Sequence, residues 1–216
     1  MKMTKFILSM IALMIAQSVF ALQERHLIII RHGEGEHNIT HEYNSNPKHP
    51  RYKPAHLTDK GQEQVKKAAD LLLTHGFDNR TISAVYVSPL PRAIETANIV
   101  SEIGVFSKDK IHIDSRLIET QAGDREGLFI DKLTKDAWLV GPNEAKSYKG
   151  ESNEDVRKRM LVIYDEIEKK HKDGHVIFIT HGMPGMELID TLTQERVRLE
   201  TAQLYILPLN NRNQLA

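Results

Sequence analysis

The sequence predicts an α/β fold, a three-layer α/β/α sandwich with a mostly parallel central sheet. Short aliphatic runs, typical of strands covered on both faces, alternate along the chain with longer segments whose apolar residues recur at helical spacing. Such alternation produces parallel sheets flanked by helices. With 216 residues and 40% hydrophobic content, the chain is long enough for one domain with a sizeable core.

The first half of the chain opens this alternation. Residues 27–30, LIII, form a continuous aliphatic run that predicts a strand buried on both faces. A helix should follow from Thr58, a suitable N-cap, to a stop at Gly76. The apolar positions that define its buried face are Val65, Ala68, Ala69, Leu72 and Leu73.

The second half repeats the pattern. Ser152 followed by Asp155 indicates a capping box, after which one apolar helical face runs through Val156, Met160, Ile163 and Ile167. The other predicted elements are strands at 82–87, 111–113, 176–180 and 203–207, a helix opening at Pro89, and a helix after His181.

The amino terminus has the pattern of an export signal. Two lysines precede an apolar run at 6–19, and the small residues Val19 and Ala21 suit a signal-peptidase cut. The run is too short to span a bilayer comfortably. We expect residues 1–21 to be a cleaved signal peptide and 22–216 to form the domain, which makes the protein periplasmic or secreted. An uncleaved anchor is the alternative.

The charge balance argues against partners that would be attracted by the net charge of the whole protein. The chain has 29 basic and 29 acidic residues, so no net field favours nucleic acid or an anionic membrane. It has no cysteine, hence no disulfide and no lipid-attachment thiol. We expect no nucleic-acid partner and no stable membrane insertion after signal cleavage. Any anion site must be local.

Polar side chains follow four of the predicted strands where each strand ends. Ligands collect at the carboxyl ends of strands in such sheets. Two guanidinium groups would hold a phosphate dianion, because their planar donors match its oxygens. One neutral histidine could attack phosphorus, the other could donate to the phosphoryl oxygens, and a carboxylic acid could protonate the leaving group. The residues at these strand ends are Arg31, His32, Arg92, Glu119 and His181.

Each of these residues also has an ordinary structural explanation. An arginine at a strand end is usually a solvated charge, and a lone histidine is usually a surface or core residue. Their joint placement is what favours a phosphate site. Gly33, which lacks a side chain, would let the backbone approach the anion.

Several motifs resemble the histidine phosphatase superfamily, in its phosphoglycerate-mutase-like branch. They occur in order and cover almost all of the chain after residue 21. The motifs are Arg31-His32-Gly33-Glu34 with Asn38; Leu57-Thr58 with Gly61 and Gln64; Ser88-Pro89-Leu90 with Arg92-Ala93, Thr96 and Ala97; Leu117 and Glu119 with Gly123, Glu126 and Gly127; Gly150-Glu151-Ser152 with Asp155 and Arg159; and Thr180-His181-Gly182.

The resemblance implies a role for six of these residues. His32 would carry the phosphoryl group as a phosphohistidine, and Glu119 would be the general acid. The residues implied to bind phosphate are Arg31, Asn38, Arg92 and His181, the last of which also counts as catalytic. The resemblance implies no metal and no other cofactor. The implied ligand is a small phosphate ester or a phosphorylated glycan.

Departures from the family pattern argue against some of the activities that the family includes. Gly35 and Gly182 replace residues typical of the acid phosphatase and phytase branch, which argues against a phytase-like enzyme. His37 stands where mutases usually carry an aromatic residue, and only Arg125 and Lys132 represent the mutases' basic cluster. We therefore expect an exported phosphomonoesterase. The alternatives are a phosphoglycerate-mutase-type phosphotransferase and a noncatalytic phosphate-binding module.

A metallohydrolase is a further alternative. Three histidines and two glutamates lie within 32–41 and could form a metal cluster, although Gly33 and Gly35 disfavour a helix through its beginning.

Two long variable segments should govern specificity. Segment 39–56 is rich in basic residues, including Arg51 and Lys53, and would be either a lid that favours polyanionic substrates or a solvated loop. Segment 124–149 contains Trp138, which we expect in the core. The natural substrate and the oligomeric state cannot be read from the sequence.

Overall fold

The computed structural model describes residues 24–130 and 140–209; the expected signal peptide and Trp138 lie outside these residues. The described chain forms a five-stranded sheet in the order β3-β2-β4-β1-β5, and β5 pairs antiparallel while the other pairings are parallel. The strands are β1 His26–Arg31, β2 Ile82–Val87, β3 Ile111–Ile113, β4 His175–Thr180 and β5 Leu204–Pro208.

Helices cover both faces of the sheet, which confirms the predicted α/β sandwich. Apolar residues of α2 and α3 pack on one face and those of α5 and α6 pack on the other. The helices within the described residues are α1 Glu36–Thr40, α2 Asp59–Thr74, α3 Pro91–Ile103, α4 Pro142–Ser147, α5 Asn153–Lys170 and α6 Gly182–Thr193.

The predicted caps form as the local sequence dictates. The Thr58 hydroxyl accepts a hydrogen bond from the Gly61 amide at the start of α2, and Ser152 and Asp155 form the capping box of α5. Gly76 follows the end of α2 at φ +81°, a left-handed conformation that glycine adopts without strain.

One helix boundary was predicted wrongly. Helix α3 begins at Pro91 rather than Pro89, with Leu90 as its N-cap. Proline suits the first helical position, where its missing N–H would have no intrahelical partner. Pro89 and Pro91 could each occupy that position, so the sequence alone did not decide between them. The extra residues form the loop that leads from β2 into the site.

Strand β1 explains why the sequence runs apolar for four residues. Ile28 and Ile30 pack on the α2 and α3 side, whereas Leu27 and Ile29 pack on the α5 and α6 side, and all four are fully buried. Burial of each such side chain contributes about 1.5–3 kcal/mol. The strand is therefore anchored on both faces, which fixes the position of its carboxyl end.

The parallel register brings the carboxyl ends of β1, β4 and β2 together. Arg31 pairs with Thr180, so His32 and His181 follow on neighbouring strands. The His32 amide donates to the Thr180 carbonyl oxygen at 3.0 Å, and the Ser88 amide donates to the Ile179 carbonyl oxygen at the same distance. Backbone pairing thus sets the spacing of the polar residues before any side chain contacts another. Within the described residues, no helix combines the length and apolar character needed to cross a membrane.

Candidate active site

Two histidine rings form the floor of the site. The ring centroids of His32 and His181 lie 5.0 Å apart, in an edge-to-face arrangement. Both side chains are almost completely buried, at 1% and 0% exposure. Burial lowers the pKa of each well below its ordinary value near 6.5, and the charge of Arg92 lowers it further. Both rings are therefore neutral at physiological pH.

Hydrogen bonds assign the tautomer of His32. Its Nδ1 lies 2.6 Å from the Gly33 carbonyl oxygen, which can only accept, so Nδ1 carries the proton. Its Nε2 lies 3.1 Å from Nε of Arg92, which can only donate. The lone pair of His32 is consequently on Nε2, directed at a guanidinium.

Arg92 is a fully buried cation at the start of α3. Its two terminal nitrogens donate to the Oδ1 and the backbone carbonyl oxygen of Asn44, each at 2.8 Å. Burial lowers its pKa to about 10, with the charge of Glu119 opposing that shift. Asn44 was not predicted as a site residue, because nothing in a variable loop of one sequence indicates that it fixes an arginine.

His181 carries a buried nitrogen without a partner. Its Nε2 lies 2.7 Å from the Ser88 hydroxyl, whereas Nδ1 has no hydrogen-bond partner among the described residues. If the Ser88 hydroxyl donates to Nε2, then Nδ1 carries a proton that has no acceptor. Buried polar atoms are rarely left in this condition unless water, an ion or a ligand completes them or they have a catalytic role.

Arg31 is in a similar state at the end of β1. One terminal nitrogen donates to the Leu199 carbonyl oxygen at 2.7 Å, while the buried Nε has no partner among the described residues. Burial lowers its pKa, and Glu119 opposes that shift. Its Cζ would lie 3.5 Å from a Cβ placed on Gly182, so the guanidinium packs beside the residue that follows His181.

An open cavity of about 440 Å³ lies at this edge of the sheet, and Arg31, Asn38 and Glu119 line it. Glu119 accepts a hydrogen bond from the Thr120 amide at 2.8 Å. Asn38 lies in α1, and its Oδ1 accepts from the Gly35 amide at 2.9 Å. With Oδ1 engaged, the amide nitrogen of Asn38 is the group that can donate to a ligand.

His37 is a further residue of the site that sequence reasoning noticed without assigning. It lines the cavity, and its ring centroid lies 5.4 Å from that of His32. Its buried Nδ1 has no partner among the described residues. Burial, together with Arg92 and Arg31, lowers its pKa to about 2. A third neutral imidazole therefore lies between the floor and the cavity.

Glycine at position 33 is required by packing, and the expected approach of its backbone to an anion stays a prediction. A Cβ at this position would lie 2.5 Å from the Gly61 carbonyl oxygen and 2.7 Å from Cγ2 of Val65. The loop after β1 thus requires glycine because it contacts the first turn of α2. A larger residue here would push α2 away from the sheet and displace His32.

Segment 39–56 forms part of the cavity wall, but its cations do not face the cavity. Glu42, Tyr43 and Asn44 line it. Arg51 instead donates through Nε to the Glu126 carbonyl oxygen at 2.8 Å and through a terminal nitrogen to that of Asp124. Of the two alternatives for this segment, a lid whose Arg51 and Lys53 select polyanionic substrates is therefore not supported, since these side chains do not line the cavity. Loop cations bonded to carbonyls serve to hold two loops together.

The alternative metal cluster is not assembled. In residues 24–130 and 140–209, no three side chains among His, Asp and Glu are grouped so as to hold a metal ion. The rings of His32 and His37 lie close to each other, but Glu34, a carboxylate of the suggested cluster, pairs with Lys60 at 2.8 Å.

Comparison with known proteins agrees with this arrangement. The profile of the histidine phosphatase superfamily (branch 1) matches residues 27–212, nearly the whole chain. The chain belongs to this superfamily. The resemblance carried by the sequence motifs is thereby confirmed, including its phosphoglycerate-mutase-like branch.

Three superfamily members illustrate the similarity. Glucosyl-3-phosphoglycerate phosphatase of Mycolicibacterium vanbaalenii is 30% identical over 173 residues, which cover 74% of this chain and 71% of that protein. Phosphoglycerate mutase-like protein 4 of Arabidopsis thaliana is 28% identical over 167 residues, covering 72% and 66%. The solved structure of Bacillus stearothermophilus YhfR superposes with a TM-score of 0.68 at 25% identity, covering 84% of this chain and 90% of that one. Phosphatases and mutases among its relatives support a phosphatase or phosphotransferase enzyme.

Proposed function

We propose that the protein is an exported, metal-independent phosphomonoesterase, which hydrolyses small phosphate esters or phosphorylated glycans through a phosphohistidine on His32. Glu119 acts as the general acid, His181 as a donor to the phosphoryl group, and Arg31, Asn38 and Arg92 as further phosphate ligands.

One observation carries the proposal. Buried side-chain nitrogens of Arg31, His37 and His181 have no partner among the described residues. The rings of His37 and His181 lie beside that of His32, whose Nε2 is unprotonated. An unsatisfied buried polar group costs about 1–3 kcal/mol. A tetrahedral dianion offers several acceptors within a few ångströms, so it would complete the site and meet the nucleophile at the same time.

The first chemical step follows from the tautomer of His32. The phosphate oxygens take over the donors of Arg92, which releases the Nε2 lone pair to attack phosphorus in line with the ester oxygen. The P–N bond forms as the P–O bond to the leaving group breaks. Glu119 donates its proton to the departing oxygen, and the Gly33 carbonyl oxygen holds Nδ1–H of the imidazolium that develops.

The second step returns the enzyme to its starting state. The carboxylate of Glu119 takes a proton from a water molecule, whose oxygen attacks phosphorus. The P–N bond breaks, inorganic phosphate leaves, and Glu119 is again protonated. Because Glu119 lines an open cavity, water can replace the first leaving group.

Export remains part of the proposal and has its own test. The lysines and apolar run of residues 1–21 support secretion, with cleavage after Ala21. Intact-mass measurement of the secreted protein should give a chain that begins at Leu22. A chain that retains its first residues in a membrane fraction would contradict cleavage.

The activity is tested with para-nitrophenyl phosphate in the presence of EDTA, from about pH 4 to about pH 8, around the ordinary histidine pKa. The wild type should turn over. His32→Ala should lose at least about 10³-fold in kcat, since removal of a nucleophile eliminates the covalent route. No turnover by a folded wild type, or equal turnover by His32→Ala, would overturn the proposal.

Glu119→Gln separates a general acid from a mere binding residue. The variant should lose more kcat/KM with glycerol 3-phosphate than with para-nitrophenyl phosphate, because an alkoxide needs protonation and para-nitrophenolate does not. Equal losses with the two esters would remove Glu119 from the acid role. Glu42→Gln, another carboxylate of the cavity wall, is the matched control and should not discriminate between the esters.

A further inference from the structure

One buried serine connects the two sides of the site. Ser45 lies in segment 39–56, lines the cavity and is only 1% exposed. The residue before it, Asn44, accepts two hydrogen bonds from Arg92, and Arg92 in turn donates to Nε2 of His32. Ser45 is therefore adjacent in the chain to the contact that orients the proposed nucleophile.

Every polar group of Ser45 is bonded to the segment that follows Glu119. Its amide donates to Oε1 of Glu126 at 2.8 Å, and its hydroxyl donates to Oε2 of the same carboxylate at 2.7 Å. The hydroxyl oxygen accepts from the Ala122 amide at 3.0 Å, and the carbonyl oxygen accepts from Nε2 of Gln121 at 2.9 Å. These hydrogen bonds join the nucleophile side of the site to the chain that carries the proposed general acid.

The contacts at both ends of this connection are firm. Nε2 of Gln121 also donates to the Glu119 carbonyl oxygen at 3.3 Å, so one side chain contacts both Ser45 and the backbone of the general acid. Glu126 is fully buried, at 0% exposure. A buried carboxylate is costly unless donors satisfy it, so loss of the Ser45 hydroxyl would disturb Glu126 as well.

Ser45 acts through its neighbours rather than on a ligand. Its amide and hydroxyl hydrogens are both directed at Glu126, so neither is available to a phosphate oxygen. Arg31 and His181 differ in this respect, since each has a buried nitrogen without a partner among the described residues. The effect of Ser45 on turnover must therefore come from where it places other groups.

We propose that Ser45 is a positioning residue, which fixes the separation of the nucleophile His32 and the general acid Glu119 by holding Asn44 against the chain that follows Glu119. This inference rests on the proposed function. In-line transfer needs the attacking nitrogen and the proton donor on opposite sides of one phosphorus atom. A misplacement of about 1 Å can lower the rate about 100-fold, so a fixed separation matters for catalysis.

Ser45→Ala tests the proposal with two esters, glycerol 3-phosphate and para-nitrophenyl phosphate. The measured quantity is the ratio of their kcat/KM values. That ratio should fall at least about tenfold, because the alkoxide needs a well-placed acid and para-nitrophenolate does not. Both esters are hydrolysed by the same folded enzyme, so partial unfolding of the variant cannot lower the ratio.

Ser152→Ala is the matched control. Ser152 is also 1% exposed, and its hydroxyl likewise donates to a carboxylate and accepts from a backbone amide, in this case both of Asp155. The ratio should stay within about twofold, because loss of a helix cap lowers stability rather than the rate of a chemical step. An unchanged ratio in Ser45→Ala while Glu119→Gln lowers it, or equal falls in both serine variants, would refute the positioning role.

A double-mutant cycle tests the route through Glu126. If the hydroxyl acts by way of that carboxylate, Ser45→Ala should change the ratio much less in a Glu126→Gln background than in the wild type. Additive changes would contradict this route. Ser45→Cys replaces Ser45→Ala if that variant does not fold, and it should lower the ratio in the same direction because a thiol is a weak donor.

A failure of the proposed function is distinguishable from a failure of this inference. If the wild type hydrolyses neither ester, or if Glu119→Gln leaves their ratio unchanged, the proposed mechanism has failed, and calorimetric binding of inorganic phosphate replaces the ratio. Ser45→Ala should then bind phosphate at least about tenfold more weakly than wild type and Ser152→Ala, as expected for one charged hydrogen bond lost from a displaced Arg92. Equal binding by Ser45→Ala and the wild type, or no binding by either, rejects the positioning role.

Discussion

The two ends of strands β1 and β4 each carry a histidine pair, and the pairs are almost equally spaced. At the amino ends, the ring centroids of His26 and His175 lie 5.1 Å apart. Past the carboxyl ends, those of His32 and His181 lie 5.0 Å apart. The residue types and the strands are the same, so spacing alone does not distinguish the two pairs.

The surroundings of the pairs differ. At the amino end, the His26 amide donates to Nδ1 of His175 at 3.1 Å, and the edge of Phe77 packs against both rings. That pair has its contacts within the described chain. At the carboxyl end, Arg92 donates to the floor of the site, and nitrogens of Arg31 and His181 have no partner in the described chain.

The comparison teaches that two histidines become a phosphate site through their cations and their unused donors. Parallel strands converge at both ends, but only the carboxyl ends lead into loops that deliver an arginine from a helix start. The amino-end pair is a structural contact. Each prediction below alters one feature that separates the pairs.

The largest contrast should come from the same substitution at either end of β4. His181→Asn should lower kcat for para-nitrophenyl phosphate by about 10²–10³-fold, as loss of one donor to a transition-state oxyanion does. His175→Asn should leave kcat within about twofold, because Asn can still accept from the His26 amide. Steady-state kinetics of both variants test this prediction. Comparable losses of kcat in the two variants would contradict a functional difference between the two histidine pairs.

The next contrast exchanges arginine for lysine near each pair. Arg92→Lys keeps the charge but loses the fork that holds His32 and Asn44, so kcat/KM should fall on the order of 100-fold, equivalent to two charged hydrogen bonds at about 1.5 kcal/mol each. Arg25→Lys, whose parent side chain donates to the His171 carbonyl oxygen at the amino end, should have little effect on turnover. A mild Arg92→Lys phenotype would mean that charge alone suffices.

The positions of His32 and His181 could be predicted from the sequence, because the order of the strands determines them. An aliphatic run followed by Arg31 and His32 marks a strand end, and parallel pairing places the next strand's His181 beside it whatever the loops do. The contacts of the loop residues around this pair could not be predicted. Asn44 takes its role from a contact with Arg92, which lies far from it in the chain. No local pattern indicates which loop residue will meet a buried guanidinium.

Arg51 and Gly33 show the limits of residue type as a guide. Of the two alternatives for segment 39–56, the lid that selects polyanions is not supported, because Arg51 bonds to carbonyl oxygens of another loop. The approach of the Gly33 backbone to an anion stays a prediction, and the structure adds that glycine is required there for contact with α2. Residue type indicates what a side chain can bind, whereas only tertiary contacts decide what it does bind.

A smaller effect should follow from loss of the Ser88 hydroxyl. Ser88→Ala removes the 2.7 Å contact to Nε2 of His181, so the ring loses the partner that holds its tautomer. We expect kcat/KM to fall about tenfold, the equivalent of one hydrogen bond near 1.5 kcal/mol. Ser83→Ala, which removes a hydroxyl bonded to the His175 carbonyl oxygen, is the amino-end control and should preserve kcat/KM. An unaffected Ser88→Ala enzyme would show that packing alone orients His181.

The smallest expected effect is on the pH dependence of stability, which should differ between the two ends of the strands. The pKa of His37, lowered to about 2 by burial and then by Arg92 and Arg31, means that the folded protein excludes a proton that the unfolded chain binds below about pH 6.5. The free energy of unfolding should therefore fall as the pH drops below that value. His37→Phe should reduce this loss by up to about 1.4 kcal/mol per pH unit.

The amino-end counterpart is His175→Phe, measured by urea unfolding at about pH 7 and about pH 5, on either side of the ordinary histidine pKa. The pKa of His175 is lowered by burial and by His26, with no arginine contributing. Since the pKa of His175 is also lowered in the folded protein, His175→Phe should change the pH dependence of stability in the same direction. That change should be smaller than the one for His37→Phe. A larger change in His175→Phe would contradict a contribution from the two arginines. Burial is the larger cause of the lowered pKa of His37 and the arginines add to it, so the same charges that would bind the dianion should add to the acid sensitivity of the site.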